Sequence, residues 1–333
     1  MARARGERGK AKEAGGLQAL LKDVLIAVAI VGVVFAGIFA YTRVYPPLVV
    51  IESSSMQHGD EVSYVGVIDT GDLVFVQSSP DRRDVVTWVE GYTTGHQTYG
   101  DYGDVIVFRK PTTTSDPTPV IHRAILFVIP SETVPDTYDI PDLEAFPSSL
   151  WEGEGLGGVV LQSPYGLQRV TIHEMGWQRN LGITFDLRAY AQSPVNRDRP
   201  GYITMGDNNA YDQCSIRADP CSPYPPYDTG WIVAQGNILG KARGEIPWFG
   251  LIKLTLDPGK SAYKCCNGWG DPLAPRNSWD SLLIALPLVF GSPFLFEGGR
   301  WAWERYVTPR IKRRREARSG EGGPPAAEPP SPR

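Results

Sequence analysis

The chain reads as mainly β: an irregular β-rich ectodomain, residues 42–278, carried between an N-terminal transmembrane helix and a C-terminal one. Three observations predict this. Residues 24–41 (VLIAVAIVGVVFAGIFAY) form an uncharged apolar run. Residues 281–296 (SLLIALPLVFGSPFLF) form a second one. Between the two, short runs of β-branched and aromatic residues are separated by Gly, Pro and Asp, and helical periodicity of useful length is scarce.

The first run spans about 27 Å as a helix, close to the hydrocarbon thickness of a bilayer. A cleaved secretory signal has a shorter apolar stretch that ends in small residues at alternate positions. Ile38 and Ala40 fit that pattern poorly, so the run is read as a retained anchor. The second run contains Pro287, Gly291 and Pro293, which membrane helices tolerate better than water-exposed ones. Trp279 before it and Trp301 and Trp303 after it stand where an interfacial aromatic belt would, and residues 310–318 (RIKRRREAR) add a polybasic flank. A buried core helix or an interfacial segment is the alternative for this run.

The net charge of −4 over 333 residues hides a strong asymmetry. Residues 1–23 carry +3, residues 297–318 carry +5 and the tail 319–333 carries −1, which leaves −11 for residues 24–296. Basic flanks at both ends place both termini in the cytoplasm and residues 42–278 outside, so the expected location is the cell membrane with two spans. At 42% hydrophobic residues and with no glycine period, the composition excludes a disordered or collagen-like chain. The lack of a strong overall positive charge excludes a nucleic-acid-coating one. The tail (SGEGGPPAAEPPSPR) is expected to be disordered.

In the outer segment, Tyr45, Pro46 and Pro47 make a stiff exit from the membrane, and residues 48–51 (LVVI) read as a short buried strand. Further strands are expected at 72–77, 104–108, 120–129, 158–161, 170–172, 202–205 and 231–234, in a sandwich or irregular barrel. Residues 130–200, rich in Pro, Gly and aromatics, read as an insertion or small cap. Cys214, Cys221, Cys265 and Cys266 all fall outside the membrane, without zinc-ligand spacing, so disulfides are expected. A vicinal Cys265–Cys266 bridge is sterically awkward, which favours bridges from Cys214 and Cys221 to that pair. A Cys214–Cys221 bridge is the alternative.

Chemistry enters at residues 52–60, ESSSMQHGD, a loop just after the first strand. Serine is a weak nucleophile without a neighbouring base, and a serine cluster alone is more often a turn or helix cap. The candidate bases are four histidines. His58 shares the serine loop, His96 lies in a Gly/Thr loop and His173 in the insertion. His122 sits in a strand-like run, on one face with Val120 and Ala124. There it is either a core histidine or a base on a rigid support. Residues 206–212 (GDNNAYD) supply Asp207 and Asp212, either of which could orient a histidine and stabilise its imidazolium.

These boxes resemble type I signal peptidase. Ser-x-Ser-Met follows an N-terminal anchor; then come Gly71-Asp72-Leu73, GDVIVF at 103–108, His122-Arg123 and GDNN at 206–209. The run TTGHQTYGDYGDVIVF (93–108) is similar to archaeal members, and His122 stands where bacterial members have a lysine, as in the archaeal and endoplasmic-reticulum branch. Residues 236–250 are similar to the family's closing strand and Ile-Pro segment.

The resemblance implies a membrane-bound serine endopeptidase that removes signal peptides. Ser55 would be the nucleophile, Ser53 and the Ser55 backbone the oxyanion donors, and His122 the general base. Asp212 is favoured as the acid, with Asp207 as a structural acid. Two departures stand out: Ser54 replaces the usual glycine, and the second Asp follows the first by five positions where six is also common. No metal or organic cofactor is implied. Implied partners are signal-sequence-bearing preproteins, the bilayer and the secretion translocon, with no nucleic acid. The competing readings are a narrow-substrate membrane-tethered serine peptidase and a non-catalytic, membrane-anchored extracellular binding domain.

Overall fold

A computed structural model describes residues 2–59, 61–110, 118–195, 198–209, 211, 230–256 and 274–311, with side chains from residue 21 onward. The four cysteines, Asp212 and the tail from Ser319 lie outside the described residues. The chain divides into two compact units, Met1–Trp279 and Asp280–Arg333.

Helix α1 (Ala2–Thr42) contains the first apolar run. Within Leu21–Thr42 the most apolar 18 residues have a mean hydropathy of 2.7 and none of them is buried within the chain. Leu25, Val33 and Phe35 are more than half exposed. The helix is long and apolar enough to cross a membrane. Its C-terminal end is tied to the β-rich domain: Ser78 N donates to Thr42 O (2.7 Å) and the Tyr41 hydroxyl to Arg243 O (3.2 Å).

The main sheet is antiparallel throughout. Its strands are β1 (Leu48–Val50), β2 (Leu73–Gln77), β5 (Val105–Phe108), β6 (Val120–Pro130), β12 (Gly201–Met205) and β13 (Ile238–Ile246), in the order β1-β2-β13-β5-β6-β12. The short β7 (Tyr138–Asp139) pairs with β6. Strand β13, the segment likened to a closing strand, lies between β2 and β5 and joins the early strands to the middle of the chain. Before β5 lie helix α2 (Trp88–Thr94) and the hairpin β3 (Gln97–Thr98) and β4 (Asp101–Tyr102). Helix α2 is closed by a reciprocal capping box, Glu90 N to Thr87 Oγ1 (3.2 Å) and Thr87 N to Glu90 Oε2 (2.7 Å), and ends at left-handed Gly95.

Residues 130–200 are more ordered than their composition predicts. They form a four-stranded sheet, β11 (Leu181–Asp186), β10 (Arg169–Met175), β8 (Trp151–Glu154) and β9 (Val160–Leu161), followed by α3 (Leu187–Gln192). Strand β11, and β10 up to the bulge after Ile172, alternate buried and part-exposed positions, and their inward residues Val170, Ile172 and Ile183 join Trp88, Ile125 and Ile203 in one core. The segment therefore packs as part of the domain. The expected strand at 158–161 shortens to Val160–Leu161, because Gly157 and Gly158 turn the chain at positive φ. At 231–234 the expected strand reduces to a single Tyr202–Val233 bridge, after which a tight turn at Gln235–Asn237 redirects the chain into β13.

After β13, α4 (Gly250–Leu256) packs Leu251 and Leu254 inward. Helix α5 (Arg276–Ala302) continues past Pro287 and Pro293 and through a π-type turn at Trp303–Val307 to Ile311. With a mean hydropathy of 1.6, it is the second helix long and apolar enough to cross a membrane.

Three carboxyls cluster beside the turn into β2. Asp69 N donates to Asp72 Oδ2 (2.8 Å) and Gly66 N to Glu245 Oε1 (2.5 Å), whereas Asp69 Oδ2 and Glu245 Oε2 are buried without a hydrogen-bond partner among the described residues. Burial raises Asp69 to about 6 and both Asp72 and Glu245 to about 7. Groups raised in this way stabilise the fold at low pH, and that contribution is lost as pH rises through about 6 to 7. Glu245→Gln keeps the Oε1 acceptor and removes one of the mutually repelling charges. The variant is expected to melt above wild type at pH 8 and level with it at about pH 4, below the unfolded glutamate value; equal melting at pH 8 would contradict this account.

Candidate active site

The serine loop is fixed from two sides. From below, Met56 is buried with Ile51, Ile68 and Val74, and buried Gln57 Oε1 accepts from Thr70 N (3.1 Å) and Thr70 Oγ1 (2.5 Å). The methionine beside the third serine is thus a core anchor that presents Ser53, Ser54 and Ser55 at the surface. From above, Asn208 N donates to Ser55 O (2.9 Å) and Asn208 Nδ2 to Ser54 O (3.2 Å). Ser53 Oγ lies 3.2 Å from Ser55 Oγ.

Gly206 explains why the aspartate box opens on glycine. A Cβ there would stand 2.4 Å from Ser55 O and 3.0 Å from Ser55 Cβ. A side chain would push the serine loop off its seat. Gly206→Ala is expected to lower any Ser55-dependent activity by about a hundredfold, because displacement of a reacting group by about 1 Å has that effect. The check is a cleavage assay run beside a melting curve; a fully active variant would refute the close approach.

His122 sits in β6 opposite Ile106 of β5, and β12 runs on its other side with Met205 opposite Arg123. The chain leaves β12 into Gly206 directly after that pair, so the turn that holds Ser55 lies next to the imidazole strand. His122 is 7% exposed, and its Nδ1 is buried without a partner among the described residues. Burial pushes its pKa down to about 4, with Asp207 opposing the shift. The ring is therefore neutral near pH 7 and free to accept a proton.

Asp207 does not hydrogen-bond this ring. Arg123 grips both its oxygens, Nε to Oδ1 (2.8 Å) and Nη2 to Oδ2 (2.6 Å), and His58 Nε2 meets Oδ2 at 3.1 Å. Burial alone would raise Asp207, but the fully buried Arg123 and then His58 bring it down to about 2. The remaining Arg123 donor, Nη1, faces the carbonyls of Thr98, Asp101, Tyr102 and Gly103 at 3.0–3.2 Å and so fixes the β3–β4 hairpin.

Of the residues singled out from sequence, Ser53 and Ser55 are brought onto the turn that carries Asp207, and His122 lies on β6, the strand paired with the β12 strand that enters that turn; among the described residues no hydrogen bond joins Ser55 to His122. Asp212 and the four cysteines lie outside the described residues. Sequence reasoning missed His58 as the partner of Asp207 and left Arg123 without a partner. It also missed Trp177, which stacks on His58 with centroids 4.8 Å apart. No local signal links residues 149 or 119 positions apart. His96, the other histidine near the site, bonds Asp104 (2.8 Å), which also accepts from Arg243 at 2.9 Å. No family model, curated protein or solved structure matches this chain.

Proposed function

We propose that the chain is a membrane-bound serine endopeptidase of the type I signal peptidase kind, in the Ser-His branch, which removes signal peptides from secreted preproteins at the outer membrane face. One observation carries the reading: the Ser53–Ser55 loop is seated on the Gly206–Asn208 turn, at the end of the strands that hold a neutral, buried His122. Ser55 Oγ attacks the scissile carbonyl while His122 accepts its proton. The Ser55 N–H and the Ser53 hydroxyl stabilise the oxyanion. His122 then gives the proton to the leaving amine, and water, activated in the same way, releases the acyl group from Ser55. Asp212 is the acid proposed to orient His122 through its Nδ1, and Asp207, engaged by Arg123, is structural.

The membrane side of the reading rests on chain length. Ser55 is 13 residues past Thr42, the end of α1, so at about 3.3–3.6 Å per extended residue it stays near the bilayer surface, where a translocated signal sequence emerges. Strand β1, which leads into the serine loop, is the outer strand of its sheet among the described residues; an extended peptide can pair with that edge. The basic flanks put the termini inside and the peptidase domain outside. The test is detergent-solubilised chain incubated with a precursor carrying an apolar signal, with the product's new N-terminus sequenced. Cleavage after small residues at alternate positions supports the proposal, and an intact precursor sinks it.

A further inference from the structure

The tip of the β10–β11 hairpin, residues 176–180, is fastened to three distant parts of the chain. Trp177 stacks on His58 with the ring planes 7° from parallel. The Tyr211 hydroxyl accepts from Gln178 N (2.9 Å) and donates to Asn180 Oδ1 (3.2 Å). It lies so close to Gly176, at φ 78°, that a Cβ there would come within 2.5 Å of the phenol oxygen. Arg179 donates to Asp101 Oδ1 (2.5 Å), with its guanidinium 4.0 Å from the centre of the Tyr102 ring.

Two of these contacts involve residues close in sequence to the candidate site. His58 follows Ser55 by three residues and bonds Asp207; Tyr211 immediately precedes Asp212. The Trp177 indole N–H is buried with no partner among the described residues, so what this side chain supplies to His58 is its ring face.

We propose that the β10–β11 tip is a clamp for the active site, in which Trp177, His58 and Tyr211 are positioning residues that hold the Ser55 loop and the Asp207 turn against each other. The segment 130–200 is then part of the working site. The inference rests on the peptidase reading. It differs from a substrate-binding role, because the contacts run to the nucleophile loop and the acid box.

The test uses the full chain in detergent, with a small fluorophosphonate probe of Ser55 reactivity beside precursor cleavage. Trp177→Ala is expected to slow labelling and reduce kcat by about tenfold or more, with KM within about twofold. Trp177→Phe, which keeps a ring face, is expected to return both to within about threefold of wild type. Wild-type labelling in Trp177→Ala, or a raised KM with labelling unchanged, overturns the clamp; so does a Trp177→Phe as slow as the alanine variant. If Trp177→Ala does not fold, Tyr211→Phe decides, since it deletes only the bridging hydroxyl: slower labelling supports the clamp and wild-type labelling overturns it. A wild-type chain that neither labels at Ser55 nor cleaves precursor sinks the peptidase reading itself. Labelling that disappears in Ser55→Ala but ignores Trp177 and Tyr211 sinks the clamp alone.

Discussion

Ser55→Ala is expected to lower precursor cleavage by roughly a thousandfold or more, and His122→Ala by a comparable factor. The two act as one unit, since a hydroxyl without a base and a base without a hydroxyl are equally idle, so the double variant is expected to be no slower than either single one. Ser55 is half-buried, so folded protein at wild-type yield should accompany the loss in Ser55→Ala. His122 is buried with its ring edge-on to Phe108 (centroids 6.4 Å), so His122→Ala is expected to lower stability as well, and its cleavage rate is compared per folded molecule. His122 also sets the pH dependence. Its pKa of about 4 keeps the ring neutral well below the ordinary histidine value of about 6.5. The acid limb of kcat/KM, which reports the free enzyme, is accordingly expected near pH 4. A limb near 6.5 would show that the base is exposed or is a different histidine, and unimpaired cleavage by both alanine variants would end the serine mechanism.

What is legible in the sequence and what is not divides along the distance between interacting groups. The strand carrying His122 announces itself through local alternation, and Ser55 through the methionine after it, which the fold uses as an anchor. The Thr87-x-x-Glu90 box ending at Gly95 spells out α2 just as locally, but at seven residues the helix is too short for apolar periodicity to reveal it. Strand β11 alternates and β10 does so up to its bulge after Ile172, yet the prolines and glycines around them make the segment resemble loop. The pairs that complete the site are nonlocal. His58 meets Asp207 across 149 positions, and Trp177 meets His58 across 119. Each is an ordinary residue in its own neighbourhood, so only the folded chain identifies it. Arg123 is the sharpest case: beside a histidine on an apolar strand it looks like a surface charge, and it is instead fully buried.

That burial makes Arg123→Met the largest expected loss of stability. The methionine fills much of the volume but leaves Asp207 buried with His58 as its remaining side-chain partner among the described residues, and removing one partner of a buried pair costs about 3–5 kcal/mol. The carbonyls of the β3–β4 hairpin also lose their donor. Arg123→Lys keeps a charge but lacks the planar fork that reaches both Asp207 oxygens, so it is expected to recover only part of the loss. The two mechanisms separate by pH. In wild type Asp207 is held at about 2, below its unfolded value of about 3.9, so its contribution is full above that value and is lost as pH falls through about 2. Without the guanidinium, burial dominates and the Asp207 pKa moves upward. Its effect on stability then reverses sign: the variant is penalised most where the carboxylate is ionised and is relieved as protonation begins. Arg123→Met should therefore be much less stable than wild type at pH 7 and closer to it at pH 4, in urea or thermal denaturation of the detergent-solubilised chain. An equal deficit at both pH values would mean that the hairpin carbonyls, rather than the Asp207 charge, are what Arg123 chiefly serves.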